Sequence, residues 1–182
     1  MYGMVNEGIR KFIEDNHGKE TWKAICQKAS IDVQQFERMA SYDDKITYGL
    51  VGAICEHTEL TAEEVLNVFG QYWVGYAKAS AFGNLLQLAG ETFVERIEGL
   101  DEMHDRILLS MPHLKPPSFD IEEVGEKTYD LHYFSEREGL ASFVVGLLHG
   151  LAAETDETIS VEHVTQRSEA SDHDVFRVTL LD

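Results

Sequence analysis

The chain has 182 residues, with 33 acidic against 15 basic side chains and a formal net charge of −18 at neutral pH. This length suits one domain, or two closely packed subdomains, that can enclose a small molecule, and it leaves no room for an added kinase or cyclase. So acidic a surface repels polyphosphate backbones and anionic lipid headgroups, which argues against nucleic acid or a membrane as a partner.

The cysteines and the hydropathy indicate a compartment. Cysteine occurs only at Cys26 and Cys55, each inside an apolar helical pattern, which suits a reducing cytoplasm better than a disulfide framework. The opening residues, MYGMVNEGIRKF, are amphipathic and lack the continuous apolar run of a signal peptide, and no run approaches membrane-spanning length. We therefore expect a cytoplasmic domain.

The first part of the chain has the three- and four-residue apolar spacing of amphipathic helices. Ser41 to Asp44 and Thr61 to Glu64 both have the capping-box form that starts a helix. The predicted helices carry these apolar residues: Tyr2, Val5, Ile9 and Phe12; Trp22, Ile25 and Cys26; Tyr48, Val51, Ile54 and Cys55; Val68, Phe69, Tyr72, Trp73 and Tyr76.

A histidine interrupts the apolar stripe of the next predicted helix, which we expect to run unbroken from Phe93 to Met111. His104 occupies a position where the spacing calls for another hydrophobic residue. A buried imidazole needs a partner for its ring nitrogens, so this side chain is either a hydrogen-bonded core histidine or an axial ligand to haem iron. The stripe consists of Phe93, Ile97, Leu100, Ile107 and Met111.

The pattern changes after Met111, where the prolines of MPHLKPPSF end the helix. Two hairpins are predicted, one from 119–124 and 127–137 around Gly125, the other from 158–166 and 175–181, with an amphipathic helix between them from Leu140 to Leu151. The expected fold class is α+β. It combines a helical N-terminal subdomain over about residues 1–80 with a C-terminal subdomain over about residues 81–182 that has a small antiparallel sheet and covering helices.

The strand over 127–137 carries a second group of functional candidates, the Y-x-S-x-R motif of Tyr133, Ser135 and Arg137. On a two-residue period these side chains share one face of the strand. A guanidinium flanked by two hydroxyls suits a carboxylate, so the motif could bind the carboxylate edge of a flat apolar ligand such as haem. The alternative is an exposed strand end with an ordinary arginine-to-acid surface pair.

Taken together, these motifs resemble the H-NOX (haem nitric oxide/oxygen binding) family, which includes the haem domain of soluble guanylate cyclase. The resemblance rests on the histidine in LDEMHDR, the prolines thirteen residues further on, and Y-x-S-x-R on the next hairpin. It extends to MYGMVN at the start, FGQYW in the middle, GLLHGL on the late helix and DHDVF near the end. The family implies haem b bound between the two subdomains.

The resemblance also implies residue roles. His104 would be the proximal ligand to the haem iron, and Tyr133, Ser135 and Arg137 would bind the propionates. Pro117 would press on the porphyrin and distort it. The residues expected to line the distal pocket are Tyr2, Val5, Trp73, Phe143 and Leu147.

Phe143 bears on which gas is bound. In relatives that hold O₂ stably, a tyrosine at this position is said to donate a hydrogen bond to the ligand, and phenylalanine cannot donate. We therefore predict a sensor of NO that also binds CO and retains O₂ poorly. Trp73 or Tyr2 could instead supply a donor, which would make the chain an O₂-binding protein. Some relatives bind zinc through several cysteines, but Cys26 and Cys55 do not match those positions, so we expect no zinc.

We expect binding of NO to be signalled by a conformational change. NO bound to the iron would weaken or break the bond to His104, the porphyrin would flatten, and the subdomains would rotate. The chain itself would not be an enzyme, and the reader would be a separate protein, a histidine kinase or a cyclic-dinucleotide enzyme in relatives. Two alternatives remain: a haem-free module that binds a flat ligand or a partner, and a hydrolytic metal site assembled from His163, Asp172, His173 and Asp174.

Overall fold

A computed structural model describes residues 1–32 and 35–181 of the chain. It confirms the α+β class, with helices on a small antiparallel sheet of strand order β1-β2-β4-β3. Within those residues, none of the helices combines the length and apolar character needed to cross a bilayer. The helices are α1 (Gly3–His17), α2 (Lys19–Lys28), α3 (Asp44–Thr58), α4 (Ala62–Lys78), α5 (Gly83–Leu88), α6 (Phe93–Glu98), α7 (Leu100–Leu108) and α8 (Ala141–Ala153); the strands are β1 (Ser118–Gly125), β2 (Thr128–Phe134), β3 (Thr158–Thr165) and β4 (Asp174–Leu181).

Buried apolar side chains form two clusters. One joins α1 to α4 and centres on Ile13, Trp22 and Leu50, which are almost completely buried. The other joins α6 and α8 to the sheet and includes Phe93 and Phe176, both fully buried. Burial of this kind contributes roughly 25 cal/mol per Å² of apolar surface and dominates the stability of each cluster.

Helix α4 begins where the sequence predicts, whereas α3 does not. Thr61 and Glu64 form a complete capping box, with side chain and backbone bonded in both directions. The predicted box at Ser41 is wrong, because the N-cap of α3 is Asp43, whose side chain accepts from the backbone N–H of Lys45 at 2.9 Å. Ser41 instead forms an isolated β-bridge with Tyr2.

The predicted single helix from Phe93 to Met111 is also wrong, because the chain breaks at Gly99 into α6 and α7. A side chain at Gly99 would place its Cβ 2.7 Å from the carbonyl oxygen of Ala89. This close approach of the Ala89 backbone leaves no room for a side chain at position 99. The break gives the histidine-bearing segment a helix of its own.

Strand β2 is shorter than predicted. Its pairing ends at Phe134 opposite Ser118 on β1, and at Tyr133 opposite Asp174 on β4. Ser135 and Arg137 therefore do not continue a strand face, and they lie in the irregular segment that leads to α8. On β2 itself, Leu131 and Tyr133 are buried against the helices.

Candidate functional site

One cavity of about 520 Å³ lies between the helices of both clusters and the sheet. Its walls are mainly apolar, and its size is that of a cofactor site. The structure brings all the predicted site residues to this cavity: Tyr2, Val5, Trp73, His104, Pro117, Tyr133, Ser135, Arg137, Phe143 and Leu147. Residues that are far apart in the sequence thus meet at one place.

His104 lies on α7 and contributes its ring to the cavity wall. Its ring stacks near Phe119 on β1, with centroids 6.0 Å apart. The Asp101 carboxylate on the same helix accepts the backbone N–H of Phe119 at 2.9 Å, which fixes α7 to β1. The orientation of the imidazole is therefore set by the packing of α7 against β1.

The Nδ1 atom of His104 is buried, and among residues 1–32 and 35–181 it has no hydrogen-bond partner. Burial lowers the pKa of His104 below its ordinary value, and the Asp101 carboxylate and the Pro117 carbonyl oppose that shift only in part. The ring is thus held neutral, the form in which histidine binds a metal. The Nδ1 atom thus lacks the hydrogen bond that the core-histidine alternative expects, while the Pro117 carbonyl lies beside the imidazole.

The polar end of the cavity holds the Y-x-S-x-R residues. Tyr133 is only 4% exposed, and its burial raises the pKa of the phenol. The Ser135 hydroxyl accepts from the backbone N–H of Arg137 at 3.1 Å, so the two residues form a tight turn. The motif is therefore a compact unit directed into the cavity.

Arg137 is also paired with an acid, as the alternative interpretation expected, although this pair is not on an open surface. Its Nε donates to the Asp44 carboxylate at 2.9 Å, and its Nη1 donates to the Lys115 carbonyl oxygen at 3.0 Å. The Arg137 side chain is 18% exposed. The guanidinium thus connects the segment after β2 to the start of α3 and to the proline-rich loop.

Asp44 is a site residue that the sequence did not reveal. It also binds the N-terminal ammonium of Met1. Partial burial would raise the pKa of Asp44, but hydrogen bonds from that ammonium and from Arg137 lower it below its ordinary value. No local pattern could identify this residue, because its partner lies far along the chain.

A polar opening of about 320 Å³ adjoins this network at the edge of the large cavity. It combines basic and acidic side chains with the N-terminus. The residues around it are Met1, Tyr2, Ser41, Asp44, His113, Lys115, Glu136 and Arg137. Four residues, Met1, Tyr2, Lys115 and Arg137, line both spaces.

Aromatic side chains form another part of the cavity wall. Phe143 on α8 stacks on Phe69 at 5.4 Å and meets the edge of Trp73 at 6.3 Å between centroids. Within the described part of the chain, neither the Trp73 indole nor the Tyr2 hydroxyl has a hydrogen-bond partner. The cavity lining therefore includes the apolar Phe143 ring and two residues, Trp73 and Tyr2, whose side chains carry a hydrogen-bond donor.

The histidines and aspartates considered as a hydrolytic metal site form two separate His–Asp contacts. His163 Nε2 lies 2.8 Å from Asp174 Oδ1, and His173 Nδ1 lies 2.7 Å from Asp172 Oδ1. In residues 1–32 and 35–181, no three His, Cys, Asp or Glu side chains are grouped so as to hold a metal ion. The hydrolytic alternative has no structural support.

The chain is similar in sequence to known proteins over most of its length. The profile of the family described as Haem-NO-binding matches residues 2–163. The soluble guanylate cyclase gcy-33 of Caenorhabditis elegans is 31% identical over 152 residues, which cover 84% of this chain and 16% of the relative. The chain spans only 16% to 26% of the length of the first curated relatives.

Solved structures share the fold. An H-NOX protein from S. oneidensis in the Fe(II)NO ligation state superposes with a TM-score of 0.90 at 19% identity, covering 100% of both chains. The Fe(II) unliganded H-NOX protein from K. algicida gives a TM-score of 0.85 at 16% identity, covering 100% of this chain and 97% of the other. From the profile match and this shared fold, the chain belongs to the Haem-NO-binding, or H-NOX, family of haem-binding gas-sensor domains.

Proposed function

We propose that the chain binds haem b and senses NO, which it reports to a separate signalling protein. CO would bind at the same iron, and O₂ would be held poorly. The observation that carries this proposal is the position of His104, whose neutral ring and unpartnered Nδ1 stand in the wall of an apolar cavity of about 520 Å³. A cavity of that size with one histidine suits a flat apolar cofactor.

The residues around the cavity fit haem at both of its chemically distinct parts. The apolar walls would receive the porphyrin, and His104 would bind the iron. Tyr133, Ser135 and Arg137 would hold the propionates, since a guanidinium with neighbouring hydroxyls is suited to carboxylates. Pro117, which lines the same cavity, would press on the porphyrin from the side of His104.

When bound, haem would supply an iron that takes a diatomic gas, and His104 would hold that iron through a bond that NO weakens. His104 would then be free to move with α7. The Asp101 contact to the Phe119 N–H would remain, and α7 would shift relative to β1 about this contact. Such a shift would bias the chain between two arrangements that a partner can distinguish.

Discrimination between gases would depend on the aromatic wall. Phe143 has no donor for a polarised ligand, which favours NO and CO over O₂. The second candidate function, stable O₂ binding, is favoured by one observation: the Trp73 indole and the Tyr2 hydroxyl line the cavity without partners in the described residues. If either group reached the bound gas, it would stabilise O₂.

The partner would be a separate enzyme, a histidine kinase or a cyclic-dinucleotide enzyme. With a net charge of −18, the chain favours a partner whose docking surface is basic. The free thiols of Cys26 and Cys55 agree with a reducing cytoplasm as the place of action. Nucleic acid, membrane lipid and zinc are not among the proposed partners.

The test is an absorption spectrum of the purified, reduced protein, first in air and then with NO. We expect a Soret band, no stable binding of O₂, and an NO spectrum that reports loss of the histidine. A colourless protein from haem-replete cells would overturn haem binding. Stable O₂ binding would instead favour the second function. The donor would then be identified by whichever of Trp73→Phe and Tyr2→Phe abolishes stable O₂ binding.

A further inference from the structure

The tip of the β3–β4 hairpin, residues 166–173, lies against the segment after β2 that carries the Y-x-S-x-R motif. Arg167 Nη1 donates to the Ser135 carbonyl oxygen at 2.6 Å. The His173 ring stacks on Phe134, with centroids 4.2 Å apart and the planes 26° apart. The hairpin tip therefore contacts the end of β2 through both a hydrogen bond and ring packing.

Arg167 is itself held in place by a contact with Asp174, the first residue of β4. Its backbone N–H donates to Asp174 Oδ1 at 3.0 Å, and His163 Nε2 lies 2.8 Å from the same oxygen. Asp174 is only 9% exposed, so this acceptor is shielded from water. Backbone and side-chain bonds together fix where the guanidinium of Arg167 points.

The Ser135 carbonyl lies just beyond the end of β2, where the sheet offers it no hydrogen-bond donor. The last paired residues of β2 are Phe134 with β1 and Tyr133 with β4, so Ser135 has no place in either ladder. The bond from Arg167 replaces the missing ladder bond. Because the Ser135 hydroxyl accepts the N–H of Arg137, fixing Ser135 also fixes the turn that directs Arg137 to the cavity.

From these contacts we infer that Arg167 is a positioning residue for the ligand-carboxylate site, acting through Ser135 on Arg137. Arg167 does not line the large cavity. Its role is to hold the turn in the geometry that binds a carboxylate. This geometry matters because the planar guanidinium of Arg137 forms strong hydrogen bonds to a carboxylate only in certain orientations. This inference rests on the proposed binding of haem and adds a residue outside the motif to its carboxylate site.

The experiment compares Arg167→Gln, Arg167→Lys and Arg177→Gln with the parent, all as full chains purified with their cofactor. Arg177 is the matched control, because it is on the same hairpin and loses a comparable guanidinium contact, to Asp130 at 2.8 Å, without touching the turn. The measurements are the rate of haem loss to an apoprotein scavenger, the vibrational signature of the propionates, and amide exchange at Arg137.

In Arg167→Gln we expect haem loss about fivefold faster, which corresponds to ~1 kcal/mol, together with a shifted propionate signature and faster exchange of the Arg137 amide. Arg167→Lys, which keeps a donor able to reach Ser135, should recover most of each change. Arg177→Gln should match the parent in all three. A purely structural role would lower thermal stability in both glutamine variants without moving the propionate signature.

Unchanged haem loss and an unchanged propionate signature in Arg167→Gln would overturn the inference while leaving the proposed function intact. If the parent itself binds no haem, the proposed function fails first, and the amide exchange at Arg137 alone decides whether Arg167 orders the turn. If Arg167→Gln does not fold, Arg167→Met, which keeps the length of the side chain and removes the donor, takes its place with the same expected and contradicting results.

Discussion

Gly146 on α8 and Gly70 on α4 are in direct backbone contact. A Cβ added to Gly146 would lie 2.0 Å from the Asn67 carbonyl oxygen and 3.0 Å from the Gly70 Cα. A Cβ on Gly70 would in turn lie 2.3 Å from the Phe143 carbonyl oxygen. Because Phe143 belongs to the cavity wall, this contact sets the distance between the two helices that flank the candidate ligand site.

Replacing Gly146 with alanine should therefore destabilise the protein by roughly 1–3 kcal/mol, because the helices must separate to accept the methyl group. Gly75→Ala is the control, since Gly75 is on α4 with no atom within 4 Å of the added Cβ. That substitution should be neutral or stabilising by about 0.5–1 kcal/mol through helix propensity. Chemical denaturation measures both. Equal stabilities for the two variants would contradict the close contact.

Much of this architecture could be predicted from local sequence. The complete capping box at Thr61 and the alternation through Leu131 and Tyr133 each depend on residues close in the chain, so their patterns survive in the fold. The resemblance to H-NOX proteins then supplied the candidate site, and the structure brings those residues to one cavity.

The errors share one physical cause, which is that long-range contacts overrule local periodicity. The helix breaks at Gly99, where the Ala89 backbone packs against the chain from outside the pattern. The strand carrying Tyr133 stops early because neither neighbouring strand continues beyond Phe134. Asp44 was missed for the same reason, since its partner Arg137 comes from another part of the fold.

His104→Gly should abolish coordination of ferrous haem from the α7 side, and added imidazole should restore it by entering the space left by the side chain. His57→Gly is the matched control, because His57 is an exposed histidine near the end of α3. The measurement is the absorption spectrum of the reduced proteins with and without imidazole. A parental spectrum in His104→Gly would show that another residue is the ligand.

Phe143→Tyr should increase retention of O₂, because the new hydroxyl would be a hydrogen-bond donor on the aromatic wall of the cavity. Phe143 is partly buried between Phe69 and Trp73, so a tyrosine there can be accommodated if its hydroxyl points into the open space. The rate of oxidation in air of the reduced protein measures the effect. Phe69→Tyr is the control on the same wall, and an equal effect in both would mean that the position of the donor is unimportant.

Asp44→Asn should lower the free energy of unfolding at neutral pH, and the difference from the parent should disappear in acid. The hydrogen bonds from the Met1 ammonium and Arg137 lower the pKa of Asp44 from 3.8 despite its partial burial. A carboxyl whose pKa falls on folding stabilises the folded state above its unfolded pKa, and that contribution is lost as the pH falls through the folded value. Because the Asp44 side chain is 37% exposed, solvent screening limits the expected loss to ~1 kcal/mol.

Urea denaturation of parent and Asp44→Asn as a function of pH tests this dependence. The difference in unfolding free energy should be constant from neutral pH down to about pH 5 and shrink toward zero once the pH has fallen through the folded-state pKa, which lies below 3.8. The exposed Asp32, changed to asparagine, should show no such dependence. A difference between parent and Asp44→Asn that persists unchanged into acid would mean that the aspartate acts through packing, and that its charge does not hold Arg137.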